Sequence, residues 1–164
     1  MPLTSISVAM PRRVFDEMQG FPAGVKLGED FLLWVRTALH YKVAFLNKPL
    51  AFYNQDVDAR SRAVGRLHEP RAHMLWNLGF LEEEEKDNSD LKQLIDNLRT
   101  INLISYLLHG QYREDAQREL AKVDWARQPK KTWNLYRKPI PYLIIRQWML
   151  RQGARVKQWI VKHR

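Results

Sequence analysis

The chain has 164 residues, of which 45% are hydrophobic and 27% charged; this is enough for one folded domain and scarcely enough for two, and it excludes wholesale disorder. It contains no cysteine, which excludes a disulfide framework, a thiolate metal site and a cysteine nucleophile. The net charge of +9 is unevenly placed, because residues 125–164 hold 11 of the 27 Lys and Arg residues and none of the 18 acidic ones, which favours contact with nucleic acid or an anionic membrane surface.

The first third of the chain combines signals for strands and for helices. Its Thr-, Ser-, Ile- and Val-rich start is typical of a strand, Pro11 suits the first turn of a helix, and a run with three glycines indicates a loop. The acids Glu29 and Asp30 then stand where negative charge favours the start of a helix. In chain order we predict a strand (3–9), a short helix (12–18), a glycine-rich loop (20–28), a helix (29–40) and two short strands (42–47 and 50–54).

From residue 69 onward the strand signals disappear, and apolar residues recur at helical spacing. We expect the acidic segment 82–87 to be a solvated link and the run Asn88-Ser89-Asp90 to cap the helix after it. The fold class is therefore α+β and mainly helical, and the change of pattern divides the chain into two regions, 1–66 and 67–164. The four predicted helices of the second region are 69–78, 90–109, 111–123 and 140–162.

No segment of the sequence predicts a transmembrane helix. The longest apolar stretch, 141–150, is interrupted by Arg146 and Gln147 and has about half of the ~20 residues that a span needs. The N-terminus lacks the order of basic and apolar residues that signal peptides show. Because an isolated strand has no partner, a strand within the first ten residues leads us to expect that the chain begins inside a larger protein.

The densest chemical signal is the sequence Gly28-Glu29-Asp30, which precedes the apolar residues of the predicted helix 29–40. A glycine loop would deliver two adjacent carboxylates to a helix start, and a carboxylate placed there is a general base if it reaches a substrate hydroxyl. The same acids are common at helix starts, where they complement the helix dipole. Taken alone, the pattern favours this second interpretation.

The motifs on both sides of Gly28-Glu29-Asp30 shift the interpretation toward a catalytic role. From residue 4 to residue 53 the chain carries, in order, a strand, Val14-Phe15-x-x-Met-x-Gly20-Phe21, a glycine loop, Gly-Glu-Asp-x-x-Leu-Trp-x-Arg-x-Ala-Leu, and Tyr-Lys-Val-Ala-Phe-Leu-Asn-Lys-Pro-Leu-Ala-Phe-Tyr53. This ordered set, a third of the chain, resembles glycosyltransferase family 2. It is similar to the acceptor-side half of that family's GT-A catalytic domain, and the resemblance implies a partial GT-A subdomain in residues 1–66, followed by a helical extension.

The resemblance implies an inverting transfer of a sugar from a nucleotide-sugar donor to a hydroxyl of a glycan or lipid-linked acceptor, as in bacterial polysaccharide biosynthesis. By position, Asp30 would be the base that removes the hydroxyl proton, and Glu29 would be a supporting or acceptor-contacting acid. Trp34 and Arg36 match the family's Trp-x-Arg and would support acceptor binding. From the residues alone, core packing is an equal alternative for Trp34, and a structural ion pair is the favoured one for Arg36.

The family's donor-binding half, with parallel strands and an Asp-x-Asp metal motif, would precede this segment and is not in the sequence. We therefore expect Mg or Mn to be bound by that half of the full enzyme, no metal to be bound here, and no transfer by this chain alone. His68 and His73, five residues apart, are poorly spaced to share a metal ion.

The predicted helix 140–162 is amphipathic and basic. Apolar residues such as Ile145, Trp148 and Met149 occur on one side, and Lys and Arg residues occupy much of the remainder. This pattern is typical of helices in a membrane interface, where each basic residue contributes about 1 kcal/mol near anionic lipid; a core-packed helix with a solvated basic face is the alternative. The predicted membrane or anion contacts are Arg146, Arg151, Arg155, Lys157 and Lys162.

The sequence thus supports two functions. The first is that of a cytoplasmic transferase, peripheral on the inner face of the membrane, whose partners are a nucleotide sugar and a glycan or lipid-linked acceptor. The second is that of a non-enzymatic basic helical module that binds an anionic membrane surface or nucleic acid. The aromatic residues Trp125, Trp133 and Tyr136 fit single-stranded nucleic acid, but no known nucleic-acid motif accompanies them, so this partner ranks last.

Overall fold

A computed structural model of the chain describes residues 7–50, 67–81 and 83–162, without the side chains of residue 151 and residues 154–162. These parts are mainly helical, which confirms the coarser prediction of fold class, and they contain no β-sheet. The chain divides into two compact units, Met1–Glu82 and Glu83–Arg164. The regional boundary predicted at residue 66 lies inside the first unit.

In its described residues, the first unit has two α-helices and a group of short 3-10 turns after residue 69. Helix α1 spans Arg12–Glu17 and helix α2 spans Glu29–His40, which confirms both helices predicted there. The three 3-10 turns span Pro70–Ala72, Met74–Asn77 and Gly79–Leu81. All of these elements contribute apolar side chains to one core. Its buried residues are Val14, Val25, Phe31, Leu32, Leu33, Ala72, Leu75, Leu78 and Leu81.

The helix predicted over 69–78 is wrong, because two 3-10 turns stand there with an extended residue between them. That residue, His73, has φ −111° and ψ 140° and forms an isolated parallel bridge with Leu27. Next to it, Met74 N donates to Leu27 O at 2.9 Å. Bonds to a distant segment thus replace the local bonds that an α-helix would have made.

The short strands of a GT-A subdomain are not found in the described residues. Residues 42–47, predicted as a strand, are exposed along their whole length and pair with no strand among the described residues. Val43 is 68% exposed and Phe45 72%. A strand needs a neighbour for its backbone N–H and C=O groups, and the described part of the chain supplies none. The other predicted strands fall largely on residues 1–6 and 51–54, outside the described residues.

The described part of the second unit is helical. Its α-helices are α3 (Glu84–Asp87), α4 (Ser89–Leu108), α5 (Arg113–Leu120), α6 (Lys130–Tyr136) and α7 (Ile140–Lys162), with 3-10 turns at Gly110–Tyr112 and Trp125–Arg127. Helices α4, α5 and α7 confirm the helices predicted over 90–109, 111–123 and 140–162, whereas α3, in the predicted link, and α6 were not predicted. Asn88 caps α4, as predicted, and its side chain accepts a hydrogen bond from Leu91 N at 3.0 Å.

Helices α4 and α5 pack against each other around a core that includes charged side chains. Asp96 is 1% exposed, Arg99 3% and Glu119 6%. Such charges are tolerated in a core only when they are paired, because their desolvation is unfavourable. The apolar residues of this core are Leu91, Ile95, Leu103, Tyr106, Leu107, Ala116, Leu120, Val123 and Leu143.

Arg99 is the centre of this buried ion network. Its Nη1 lies 3.2 Å from Asp96 Oδ1, and its Nε lies 3.3 Å from Glu119 Oε2. Each carboxylate has a second cation, since Lys92 Nζ contacts Asp96 Oδ1 at 2.5 Å and Lys122 Nζ contacts Glu119 Oε1 at 2.8 Å. The network joins α4 to α5 through charge pairs that the solvent does not screen.

Candidate functional site

The sequence Gly28-Glu29-Asp30 lies at the start of α2, as predicted, and the backbone of Gly28 determines its geometry. Gly28 has φ +81°, in the left-handed region that favours glycine. A Cβ on Gly28 would stand 2.8 Å from both Cβ and Cγ of Met74 and would also overlap its Sδ. The backbone angle and the contact with Met74 therefore each require a glycine.

The segment before α2 is fixed to the 3-10 turns of the same unit. Lys26 N donates to Ala72 O at 2.8 Å, and Met74 N donates to Leu27 O at 2.9 Å. Each bond joins the end of the glycine loop to residues 72–74. The two carboxylates are consequently mounted on a braced helix start instead of a free loop.

The buried ring of His73 stands beside these bonds. Its Nδ1 accepts a hydrogen bond from Leu75 N at 3.1 Å, which caps the second 3-10 turn. Burial lowers the pKa of His73 to about 4, and nearby His68 contributes a smaller effect in the same direction. The imidazole is therefore neutral at neutral pH, which is the state in which a ring nitrogen can accept.

Both carboxylates of the candidate site are half-buried. Asp30 Oδ1 accepts a hydrogen bond from Phe31 N at 2.7 Å, in the first turn, where backbone N–H groups have no partner within the helix. The other oxygen of Asp30 and the carboxylate of Glu29 have no hydrogen-bond partner among the described residues. These oxygens can accept a hydrogen bond from a substrate hydroxyl.

The structure gives Trp34 and Arg36 different surroundings. Trp34 is half-buried and stands one turn after Asp30, on the same side of α2. Arg36 Nη1 donates to Met18 O at 2.8 Å, and its guanidinium lies 4.5 Å from the centre of the Phe80 ring. Arg36 therefore attaches α2 to its own unit, through a carbonyl and a ring instead of the ion pair that its sequence context favoured.

Helix α7 packs one side against α4 and exposes a broad apolar surface. Leu143 is 1% exposed, and Gln147 Nε2 donates to Ser105 Oγ at 3.1 Å, which marks the packed side. Six large side chains around these two are 47% to 61% exposed, and we call them the α7 apolar surface. They are Tyr142, Ile144, Ile145, Trp148, Met149 and Leu150.

Cations accompany the α7 apolar surface. Arg146 is half-buried within the same stretch of helix, and Lys138, just before α7, lies 5.8 Å from the centre of the Tyr142 ring. The other predicted contacts, Arg151, Arg155, Lys157 and Lys162, belong to α7, and their side chains lie outside the described residues. Among the helices of the described ranges, none is long and apolar enough to cross a bilayer.

A pocket that the sequence did not predict lies in the segment between α5 and α7. It has a volume of about 270 Å³ and is lined by Trp125, Ala126, Gln128, Lys130 and Trp133. The two tryptophans carried a sequence signal as interleaved aromatic residues in a basic segment. Gln128 carried none, because burial of an amide depends on contacts that its neighbours in the chain do not reveal.

Tyr136, the third aromatic residue of that segment, belongs to the fold of the unit. Its hydroxyl donates to Thr100 O at 2.6 Å, and its ring lies 5.3 Å from the Trp125 ring, centroid to centroid. Burial raises the pKa of Tyr136 above its usual value. Tyr136 therefore positions Trp125 and is not free to stack on a ligand.

The part of the chain that the structure describes contains no group of three or more His, Asp or Glu side chains able to hold a metal ion. Comparisons with protein-family models, curated proteins and solved structures gave no match for this chain. A function must therefore be argued from the chain's own residues and contacts.

Proposed function

We propose that the chain is the acceptor-side part of an inverting glycosyltransferase of the family 2 type, with Asp30 as the catalytic base. The observation that supports this most is the placement of Glu29 and Asp30, two half-buried carboxylates at the start of α2. They follow a glycine that the backbone angle and Met74 both require. A fixed position suits this role, because a base must lie within hydrogen-bond reach of the hydroxyl that it deprotonates.

In the proposed reaction, an acceptor hydroxyl donates a hydrogen bond to Asp30 Oδ2. As the hydroxyl oxygen attacks the anomeric carbon of the donor sugar, its proton moves to Asp30, and the bond between that carbon and the phosphate oxygen breaks. The nucleoside diphosphate leaves with the electron pair, and the new glycosidic bond has the inverted configuration. The hydrogen bond from Phe31 N to Asp30 Oδ1 keeps the carboxylate oriented while Oδ2 reacts.

The exposed segment 42–50 supports the assignment to one part of a larger domain. Val43, Phe45, Leu46 and Leu50 are 59% to 75% exposed, although the sequence predicts a strand at its start. A donor-binding half would supply a partner strand, which the described residues do not provide. The divalent metal of such enzymes would belong with that half.

The proposal is tested by Asp30→Asn in an enzyme that contains both halves. We expect transfer to fall by at least about 100-fold while donor binding is unchanged, because the amide fills the same space and cannot take the proton. Asp16→Asn is the matched control, since Asp16 is an exposed carboxylate on α1 of the same unit, and it should transfer at the normal rate. Normal transfer by Asp30→Asn would exclude Asp30 as the base.

A second test needs no activity assay. The proposal requires that the coding sequence upstream of Met1, or a partner polypeptide, encodes parallel strands and an Asp-x-Asp motif. The intact mass of the natural polypeptide, its reading frame and the polypeptides that copurify with it decide this. The transferase proposal would be contradicted if neither the natural polypeptide nor a copurifying partner had these features.

The α7 apolar surface favours a second function, which is binding to an anionic membrane surface. Burying an exposed apolar side chain in the lipid interface is favourable by about 1.5–3 kcal/mol for residues such as Ile145. Arg146 and Lys138 add attraction to anionic headgroups, at about 1 kcal/mol each. Such binding would keep a transferase near lipid-linked acceptors at the inner face of the membrane, or would be the function of a basic helical module in its own right.

Vesicle sedimentation tests this second function with two matched variants. Ile145→Glu places a charge on the α7 apolar surface, and Ile101→Glu places the same charge at an apolar residue of α4 that is 71% exposed. With vesicles that contain phosphatidylglycerol, we expect Ile145→Glu to weaken binding at least about tenfold and Ile101→Glu to leave it nearly unchanged. Equal binding by Ile145→Glu and the unmodified chain would contradict a membrane role for α7.

A further inference from the structure

We propose that the pocket lined by Trp125, Gln128, Lys130 and Trp133 binds a nucleobase together with its phosphate. The pocket lies in the second unit, and none of its residues belongs to the candidate site on α2. The inference is therefore independent of the proposed transferase function, and either can fail without the other.

The buried amide of Gln128 is the main observation that supports this proposal. It is only 7% exposed, and both of its amide atoms, Nε2 and Oε1, are buried with no hydrogen-bond partner among the described residues. Native proteins leave few buried polar groups unpaired, and those that remain call for a functional explanation. Because the amide has no hydrogen bond to break, its side chain can turn toward a ligand in the pocket without losing one.

The amide also defines what kind of group would pair with it. A glutamine offers an N–H donor and a C=O acceptor side by side. The edge of a nucleobase presents an acceptor and a donor at matching spacing, so that glutamine can form two hydrogen bonds with one base. A planar base thus satisfies both orphaned atoms of Gln128 at once.

The two tryptophans supply surfaces on which a planar ring can stack. Trp125 is half-buried against Tyr136, and Trp133, 39% exposed, has the Arg137 guanidinium 4.3 Å from its ring centre. These contacts hold both indoles in place before a ligand arrives. The volume of about 270 Å³ is just below the roughly 300–1,000 Å³ of pockets for drug-sized ligands, which suits a single ring system.

The positive charge at the pocket favours a ligand with a phosphate attached to its planar base. Lys130 lines the pocket, and no acidic residue follows Asp124 in the sequence. Asp124 itself accepts a hydrogen bond from Ala126 N at 3.1 Å and caps the 3-10 turn. A neutral sugar would also stack on indole rings, but it would not pair with the positive charge of Lys130. A nucleotide would contact the rings, the Gln128 amide and Lys130 together.

Two kinds of ligand would present a base together with its phosphate to this pocket: a free nucleotide and a single-stranded nucleic acid. The experiment titrates the full chain with AMP, with UMP and with single-stranded dA and dT oligonucleotides, and follows tryptophan fluorescence. Mononucleotide binding assigns the pocket to a free nucleotide, and binding of oligonucleotides alone assigns it to a single strand. Both outcomes support the proposal.

Three variants separate the pocket from general attraction between opposite charges. Trp133→Ala should weaken binding by about 5- to 150-fold, the range for loss of one base-stacking contact. Lys130→Ala should weaken it more than Lys131→Ala, its exposed neighbour outside the pocket, although both remove one charge. Equal weakening by the two lysine variants would overturn the proposal.

Gln128→Leu gives a readout that a purely structural residue would not produce. An apolar side chain of similar size removes two buried unpartnered atoms, so the midpoint of thermal unfolding should rise. At the same time, binding should weaken by about 3- to 10-fold. This variant keeps the test decisive even if Trp133→Ala does not fold.

Three further results would overturn the proposal. One is a Gln128→Leu chain that is more stable and binds nucleotides normally. Another is no binding of any nucleotide or oligonucleotide at millimolar concentration. The last is binding of glucose or N-acetylglucosamine, with the same response to the variants, and of no nucleotide.

Discussion

The ring of His73 is 2% exposed and accepts a hydrogen bond from Leu75 N, and both features depend on a neutral imidazole. A protonated imidazole donates from both nitrogens, so protonation removes the acceptor at Nδ1 and places a charge in the core. The unfolded chain takes up the same proton near the ordinary pKa of 6.5, whereas the folded chain does so only near pH 4. Proton uptake at this one residue is therefore linked to unfolding of the first unit.

We predict that the free energy of unfolding of the first unit falls as the pH is lowered from about 6.5 to about 4, with His73 contributing on the order of 3 kcal/mol. The sign follows because only the unfolded chain binds the proton in this range. His73→Asn retains an acceptor at the cap position and does not titrate, so its stability should change less with pH. Urea unfolding across this pH range is the measurement.

His40→Asn is the control for this prediction, because it makes the same substitution at an exposed histidine, at the end of α2, instead of a buried one. If His73→Asn and the unmodified chain lose stability in parallel as the pH falls, then His73 is not the linked group. Differences between the variants matter more than either curve alone, since carboxylates titrate in the same range.

At the residue scale, the sequence predicts features that depend on neighbouring residues and misses those that depend on distant contacts. Glu29 and Asp30 were placed at a helix start because the residues that form this start are their immediate neighbours. The contact of Gly28 with Met74 and the burial of Gln128 arise between segments far apart in the chain, so neither is visible in local spacing. The contacts of Arg36 could not be predicted for the same reason, because its partners, the Met18 carbonyl and the Phe80 ring, lie in other segments of the chain.

At the element scale, long helices with a sustained apolar period were predicted well, whereas most short elements, α1 apart, were not. Helices α4 and α7 each repeat their apolar pattern over several turns, and the predicted bounds agree with the structure within one residue. The helix predicted over 69–78 is wrong because Ala72 O and Met74 N, on either side of His73, bond to the end of the glycine loop, which overrides local helix propensity. Helix α6 has seven residues and no side-chain cap, so its sequence contained few of the signals that predict a helix.

The ion network between α4 and α5 leads to a prediction about these two elements. Arg99→Met would leave Asp96 and Glu119 buried without their shared cation, and we expect a loss of about 3 kcal/mol of stability. This is the lower end for a broken buried pair, because Lys92 and Lys122 still contact the carboxylates. Chemical unfolding of the second unit is the measurement.

Arg118→Met is the matched control for Arg99→Met. Arg118 pairs with Asp115 on the surface of α5, where its side chain is 70% exposed, and solvent screens the pair. We expect it to change stability by less than about 1 kcal/mol. Similar losses for both variants would mean that the Arg99 network contributes no more than a surface pair.

At the scale of the whole molecule, composition predicted a division of the chain, and packing determines where it lies. The strand signals end near residue 66, but the 3-10 turns that follow contribute Ala72, Leu75 and Leu81 to the core of the first unit. The mainly helical class was predictable because helical periodicity covers most of the chain. The short strands were not confirmed, because a strand depends on partners that a single segment does not define.

The basic end of the chain lies in one of the two units. The second unit contains residues 125–164, and with them both the α7 apolar surface and the pocket around Gln128. The candidate carboxylates Glu29 and Asp30 lie in the first unit. The uneven charge of the sequence therefore indicated the unit in which the cations are concentrated, although it did not predict the pocket.

The packing around Gly28 has a consequence for motion. The glycine is in contact with Met74, and the residues just before it are hydrogen-bonded to 72–74, so Glu29 and Asp30 cannot swing on a loop of their own. A displacement of either backbone carries residues 72–74 with it. Any closure of this site would thus be a collective shift of α2 together with the 3-10 turns, on the microsecond-to-millisecond scale of such movements instead of the faster scale of loops.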